Sequence, residues 1–140
     1  MTVAQTNHSV AESVVDRFLA GVEAGDMPPD VFADDAGLDA TVPNWRFGVR
    51  GGDAVRSQLA SWYADPGRFL DLKRTPIPDG ELVEFTLSWV EDGVTHRVHQ
   101  AHILRVVDDR VAMDTAFCGG RWAADLIAEM EEAAATSADA

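Results

Sequence analysis

Cysteine is nearly missing from this chain: Cys118 stands alone among 140 residues. No intrachain disulfide can form, and a domain of this length, which buries roughly 68–70% of its unfolded surface, needs none. Cationic side chains are scarce too. Eleven lysines and arginines face 24 aspartates and glutamates, a formal charge of −13, so a nucleic acid or an anionic membrane would be repelled. Solubility is the plain reason for such a charge. No apolar run approaches the ~18 residues of a membrane span, and no charged leader followed by an apolar core opens the chain. The sequence therefore reads as cytoplasmic. Internal repeats and low-complexity tracts are also lacking, which leaves a single globular domain.

What is present is patterned. Residues 1–8 carry no apolar periodicity and read as a flexible leader. Ser9 and Glu12 have capping-box spacing. Ala11, Val14, Val15, Phe18, Leu19 and Val22 then recur at helical spacing to about Ala24, where Gly25 ends the run. Pro28 and Pro29 suit the first turn of a short second helix, with Val31 and Phe32 on its apolar side. Gly37–Pro43 reads as a short strand, and Trp45–Arg50 as another strand or an irregular lip. Gly51-Gly52 turns into a third helix, Asp53–Ala64, capped by Asp53 and striped by Val55, Leu59 and Trp62. Asp65-Pro66-Gly67 breaks it. Alternation over Phe69–Arg74 allows a strand whose buried face is open, and Thr75–Gly80, with two prolines, reads as a turn.

The most informative stretch is Glu81–Cys118. Val83, Phe85, Leu87 and Trp89 alternate with Glu84, Thr86 and Ser88, the mark of a strand with one face buried. Asp92-Gly93 is a hairpin signal, because a primed turn needs φ > 0 at both central residues. Pairing Glu91 with Val94 puts His96, Val98, Gln100 and His102 on the face of Phe85, Leu87 and Trp89. A turn at Asp108-Asp109-Arg110 leads into Val111–Phe117, and two registers are open there. A bulged turn directs Asp114, Ala116 and Cys118 inward; a plain two-residue turn directs Met113, Thr115 and Phe117 inward. Gly119-Gly120 ends the strand, and Trp122–Ala135 reads as a helix striped by Trp122, Leu126, Ile127 and Met130, with a frayed tail. Helices first and antiparallel strands after argue for α+β: one curved sheet with helices closing its concave face. Residues 9–122 form that domain, and 123–140 a helical extension.

Several segments resemble the nuclear transport factor 2-like superfamily, which includes ketosteroid isomerases, limonene epoxide hydrolases and polyketide cyclases. They are Arg17-Phe-Leu-Ala-Gly-Val-Glu-Ala-Gly-Asp26, Val31-Phe-Ala-Asp-Asp-Ala36, Gly51-Gly-Asp-Ala-Val55 and the meander, in that order. The resemblance implies a cone-shaped, cystatin-like α+β barrel with a pocket between sheet and helices, commonly a homodimer. It does not carry a known set of catalytic residues with it. The isomerase base falls on Ala40, with Asp39 one residue off and facing the other way; the oxyanion tyrosine falls on Phe18, and the neutral aspartic acid on His102. The epoxide-hydrolase positions fall on Thr86 or Phe85, Ser88, Ala116, Ala40 and Leu38, and the cyclase aspartate on Ala116.

The expected site is thus a pocket for a hydrophobic small molecule, with no metal and no cofactor. His102 is the expected acid or base, Asp114 its orienter if the bulged register holds, and Gln100 a hydrogen-bonding partner for the ligand. Phe18, Phe85, Leu87, Trp89, Val98, Ala40, Trp45, Leu59, Ala116 and Cys118 are the expected walls. The alternatives carried alongside are a core histidine satisfied internally and a cysteine acting as a small buried hydrophobe. Tyr63, Asp39, Arg46 and Arg50 are spare polar candidates. His96 and His99 point to opposite faces of one strand and make no metal site. The activity expected is that of a cofactor-independent isomerase, cyclase or lyase; a non-catalytic binder and a dimeric interaction protein are the alternatives.

Overall fold

The computed structural model describes residues 12–139. Helix α1 runs Val14–Ala24, and strands β1 and β2 Phe32–Val42 and Trp45–Arg50. Helix α2 runs Gly52–Trp62, and strands β3, β4, β5 and β6 occupy Gly67–Ile77, Gly80–Glu91, Val94–Val107 and Arg110–Ala123. Helix α3, Ala124–Asp139, follows. The strands form one sheet in the order β2-β1-β6-β5-β4-β3, with every pair antiparallel except β1 with β6. This is the α+β arrangement expected: α1 and α2 bury Val14, Val15, Phe18, Leu19, Val22, Val55 and Leu59 against the sheet's inner face.

Several boundaries differ from the reading of the sequence, each for a local reason. The expected cap at Ser9 lies outside the described residues. Helix α1 is capped by Ser13, whose hydroxyl accepts from the Asp16 amide while Asp16 accepts from the Ser13 amide, a capping box four residues on. Gly25 ends it at φ 66°, where an added Cβ would strike the Asp65 carbonyl carbon at 2.7 Å. No helix starts at Pro28. The two prolines mark a bend instead, and Phe32 opens β1 beside Val111. Helix α2 starts at Gly52, so Gly51 takes the cap position and Asp53 lies inside the first turn, where its charge still faces the positive helix end. Strand β3 carries Pro76, which is tolerated because β3 is an edge. Trp122 closes β6 rather than opening the last helix; α3 instead anchors through buried Ile127 and an Arg97–Glu131 ion pair of 3.4 Å on the outward side of β5.

The β4–β5 hairpin has the expected register, with Glu91 opposite Val94, Phe85 opposite Gln100 and Val83 opposite His102. The β5–β6 connection resolves the two open registers by combining parts of both. The turn itself is plain: Val107 faces Arg110, with Asp108 and Asp109 at φ 51° and 57°. Two residues later a bulge inserts Ala112, since Val106 pairs with Val111 but Arg105 pairs with Met113. From there Asp114, Ala116 and Cys118 face inward, opposite Leu104, His102 and Gln100. Because Asp114 faces inward, Asp114→Ala is predicted to leave His102 buried without its carboxylate. The loss should exceed ~3 kcal/mol in denaturant titration; an Asp114→Ala variant as stable as the parent contradicts the register.

Candidate active site

The site begins with two residues that strand alternation forces into the core. His102 on β5 and Asp114 on β6 have 0% exposure. The imidazole Nδ1 lies 2.9 Å from both carboxylate oxygens, so an Nδ1–H donates into the carboxylate and fixes the ring's orientation. Phe85 stacks on the ring at 5.7 Å and Phe18 meets it edge-on at 5.2 Å. These contacts exclude water from the pair and make each partner strongly dependent on the other.

The far side of the ring is equally specified. Nε2 is 3.0 Å from the Tyr63 hydroxyl and 3.0 Å from Gln100 Oε1, and the Tyr63 hydroxyl also donates to Gln100 Oε1. The Gln100 amide nitrogen donates to Cys118 Sγ at 3.3 Å. A chain of contacts therefore runs from Asp114 through His102 to Tyr63 and Gln100, and on to Cys118. The Gln100 side chain suits either protonation of the ring. With its oxygen toward Nε2, the ring donates; with the amide turned over, Nε2 accepts from the amide and from Tyr63.

Beyond this chain lies a cavity of about 400 Å³. Tyr63, Gln100 and Cys118 line its polar end, while Val42, Pro43, Trp62, Trp89 and Val98 supply apolar walls. Ser61, Gly120 and Arg121 complete the lining. Gly120 sits at φ 105°, where an added Cβ would crowd Pro43 at 3.1 Å. Of the expected walls, Trp89, Val98 and Cys118 line this cavity, as does Gln100, the expected hydrogen-bonding partner. The others do not. Phe18, Phe85, Leu87, Leu59, Ala40 and Ala116 are core side chains, because the cone narrows and fills before reaching them, and Trp45 is 66% exposed on its edge-strand position. His102 and Asp114 lie behind the cavity wall rather than in it.

Tyr63, together with Gln100, connects pair and cavity, and the sequence offers Tyr63 only as a spare polar candidate. Its signal was helical spacing: Val55, Leu59 and Tyr63 fall four apart on one face of α2 and its C-terminal cap. Asp39 and Arg46 spend their charges on each other in a bidentate contact of 2.7 and 2.8 Å, which lowers the Asp39 carboxyl below its ordinary value. His99 bonds Thr86 at 2.8 Å on the outer face, and His96 stacks on Trp89 at 5.5 Å. Among the described residues no group of three or more ligating side chains is placed to hold a metal ion, and no helix is long and apolar enough to cross a membrane.

No protein-family model and no curated protein matches the sequence. Solved structures do match the fold. An isomerase candidate from Bacillus subtilis superposes with a TM-score of 0.62 at 14% identity, covering 76% of this chain and 84% of that one. A nuclear transport factor 2-like protein of unknown function from Mesorhizobium loti gives 0.59 at 22% identity, over 76% and 88% of the two chains. A protein with a ketosteroid isomerase-like fold from Catenulispora acidiphila, solved with trimethylamine, gives 0.59 at 15% identity, over 76% and 85%. The fold is nuclear transport factor 2-like. Ala40 and Phe18, where the resemblance puts the isomerase base and tyrosine, are both in the core, and the polar groups enter from α2, β5 and β6 instead.

Burial holds the Tyr63 phenol well above its ordinary value of 10.0, with the nearby Asp114 and Cys118 charges adding to the shift. Tyr63 is thus a hydrogen-bond donor across the neutral range and not a base. Because the folded value is raised, this residue's contribution to stability is complete below about pH 10 and is lost as pH climbs from there toward the folded value. Tyr63 is the one tyrosine in the sequence, so ultraviolet absorbance of tyrosinate reports it alone. The phenol should titrate near pH 10 in denaturant and well above that in the native chain; native titration near pH 10 contradicts its burial.

Proposed function

We propose that the cavity binds a small, mostly apolar ring or carbonyl compound. The chain acts on it as a cofactor-independent isomerase, cyclase or lyase. The observation that carries this reading is a shared wall: Tyr63 and Gln100 face the cavity and also hold His102. A ligand oxygen at the polar end accepts from the Tyr63 hydroxyl. Negative charge developing on that oxygen is stabilised by a dry donor that turns to it from Gln100 Oε1. His102 serves as acid or base one hydrogen bond further back, taking up or supplying the proton through Tyr63, and Asp114 holds the ring in the tautomer this needs. The turning Gln100 amide accommodates both states of the ring.

A non-catalytic binder is the second reading, and one observation favours it. His102 and Asp114 have no exposure, and the network closes on itself without a ligand. Equilibrium binding of steroids and aromatic polyketides, followed by product analysis, separates the two. In the enzyme, Tyr63→Phe lowers turnover by about 10²–10³-fold and leaves ligand affinity within about threefold, and His102→Gln lowers turnover likewise. Tight binding with no product from the parent chain selects the binder.

The proposal extends to a homodimer, in keeping with the resemblance. Phe117, 48% exposed on the outward side of β6, supplies apolar area for it. Sedimentation at micromolar concentration is expected to give twice the 15.1 kDa chain mass; a monomer rejects this extension.

A further inference from the structure

Among the described residues Arg121 is the one charged side chain lining the cavity, in a chain with a formal charge of −13. A second irregularity in β6 puts it there. Gln100 pairs with Cys118, but Val98 pairs with Arg121 rather than with Gly120. The extra residue in the Gly119-Gly120 segment shifts the alternation by one. Without it, Gly120 would face Val98 and Arg121 would face Arg97 on the outward side of the sheet, where α3 and solvent receive charges readily. The bulge instead delivers a guanidinium to the concave row, against the apolar cavity.

The surroundings of Arg121 leave it free to serve a ligand. Its guanidinium carbon lies 5.4 Å from the Trp89 ring centroid, so the cation rests on a cavity wall. It donates to Glu91, which does not line the cavity. That carboxylate is also held by the Trp89 indole N–H at 3.1 Å and keeps a donor if Arg121 turns inward. Both side chains of the ion pair are more than a third exposed, 57% and 37%, and exchange of partners in such a pair is nearly neutral in energy. A guanidinium offers five N–H donors in a planar fork suited to an oxyanion.

From this placement we infer that the preferred ligand is an amphipathic anion. It has an apolar, ring-sized body between Trp62, Trp89 and Val98, and one carboxylate or comparable oxyanion at the mouth on Arg121. The inference rests on the proposed small-molecule cavity and names its substrate class. The chain's overall negative charge does not oppose it at short range, since charges beyond roughly 8 Å are screened at physiological ionic strength.

A matched pair of fluorescent probes tests it: 8-anilino-1-naphthalenesulfonate, an anion, and N-phenyl-1-naphthylamine, the same skeleton without the sulfonate. The parent chain should bind the anion about tenfold more tightly, and the neutral probe should displace it, which places both in one cavity. Arg121→Gln should remove the anion's advantage and leave the neutral probe's affinity within about twofold, whereas Arg121→Lys should keep much of it. Unchanged thermal unfolding of both variants shows that the fold is intact. Equal binding of the two probes by the parent chain, failure of displacement, or an Arg121→Gln effect common to both probes overturns the anion while sparing the cavity. If neither probe binds, the cavity reading itself fails, and this inference with it.

Discussion

A carboxylate and an imidazole with no access to water lie side by side in this fold, and most of what surrounds them keeps either from being left alone. Isolating one member of a buried pair costs on the order of 3–5 kcal/mol, a large part of a small domain's stability. That penalty sets the register of β6. Only the Ala112 bulge lets a plain hairpin turn coexist with an inward Asp114, and the bulge also carries Ala116 and Cys118 to the concave side. The same penalty explains the aromatic packing: Phe85 and Phe18 keep water from the ring, while Tyr63 and Gln100 satisfy its second nitrogen.

The consequence for function is a division of labour across one wall. The Asp114–His102 pair is kept dry and rigid behind it, and neutral groups of high hydrogen-bonding capacity face the cavity. A titratable group in direct contact with a ligand would be solvated whenever the cavity empties. Placing Tyr63 between them keeps the pair in one environment throughout. It also means that the group touching a ligand is a phenol held protonated by burial. An acceptor oxygen is therefore the ligand atom this end recognises, and Arg121 supplies the opposite polarity of recognition at the mouth.

Much of this was legible in the residues, and the illegible parts share a cause. The β4–β5 register follows from period-two alternation and from Asp92-Gly93, which adopt φ 52° and 75° as a primed turn requires. That register alone places His102 and Gln100 on the concave face. Strand β6 resisted because it carries two bulges. The first has no chemical mark, since Ala112 between Val111 and Met113 looks like any strand residue. The second is marked by Gly119-Gly120, but a glycine pair signals a strand's end as readily as a shift within it. The helix expected at Pro28 failed for a different reason. Val31 and Phe32 are claimed by a partner some eighty residues away: the Val31 carbonyl accepts from the Val111 amide at 2.8 Å, a pairing that no local pattern announces. The depth of the cavity was illegible too, because alternation gives the face on which a side chain lies and not how far down the cone it sits.

The central claim is that the buried imidazole is joined to the cavity through Tyr63. Nuclear magnetic resonance of the histidine ring nitrogens tests it most directly. The account predicts a slowly exchanging Nδ1 proton on His102, shielded from water by its carboxylate partner. The Nε2 resonance should shift when N-phenyl-1-naphthylamine fills the cavity and should lose that response in Tyr63→Phe. A rapidly exchanging ring proton, or an Nε2 signal indifferent to an occupied cavity, would contradict it.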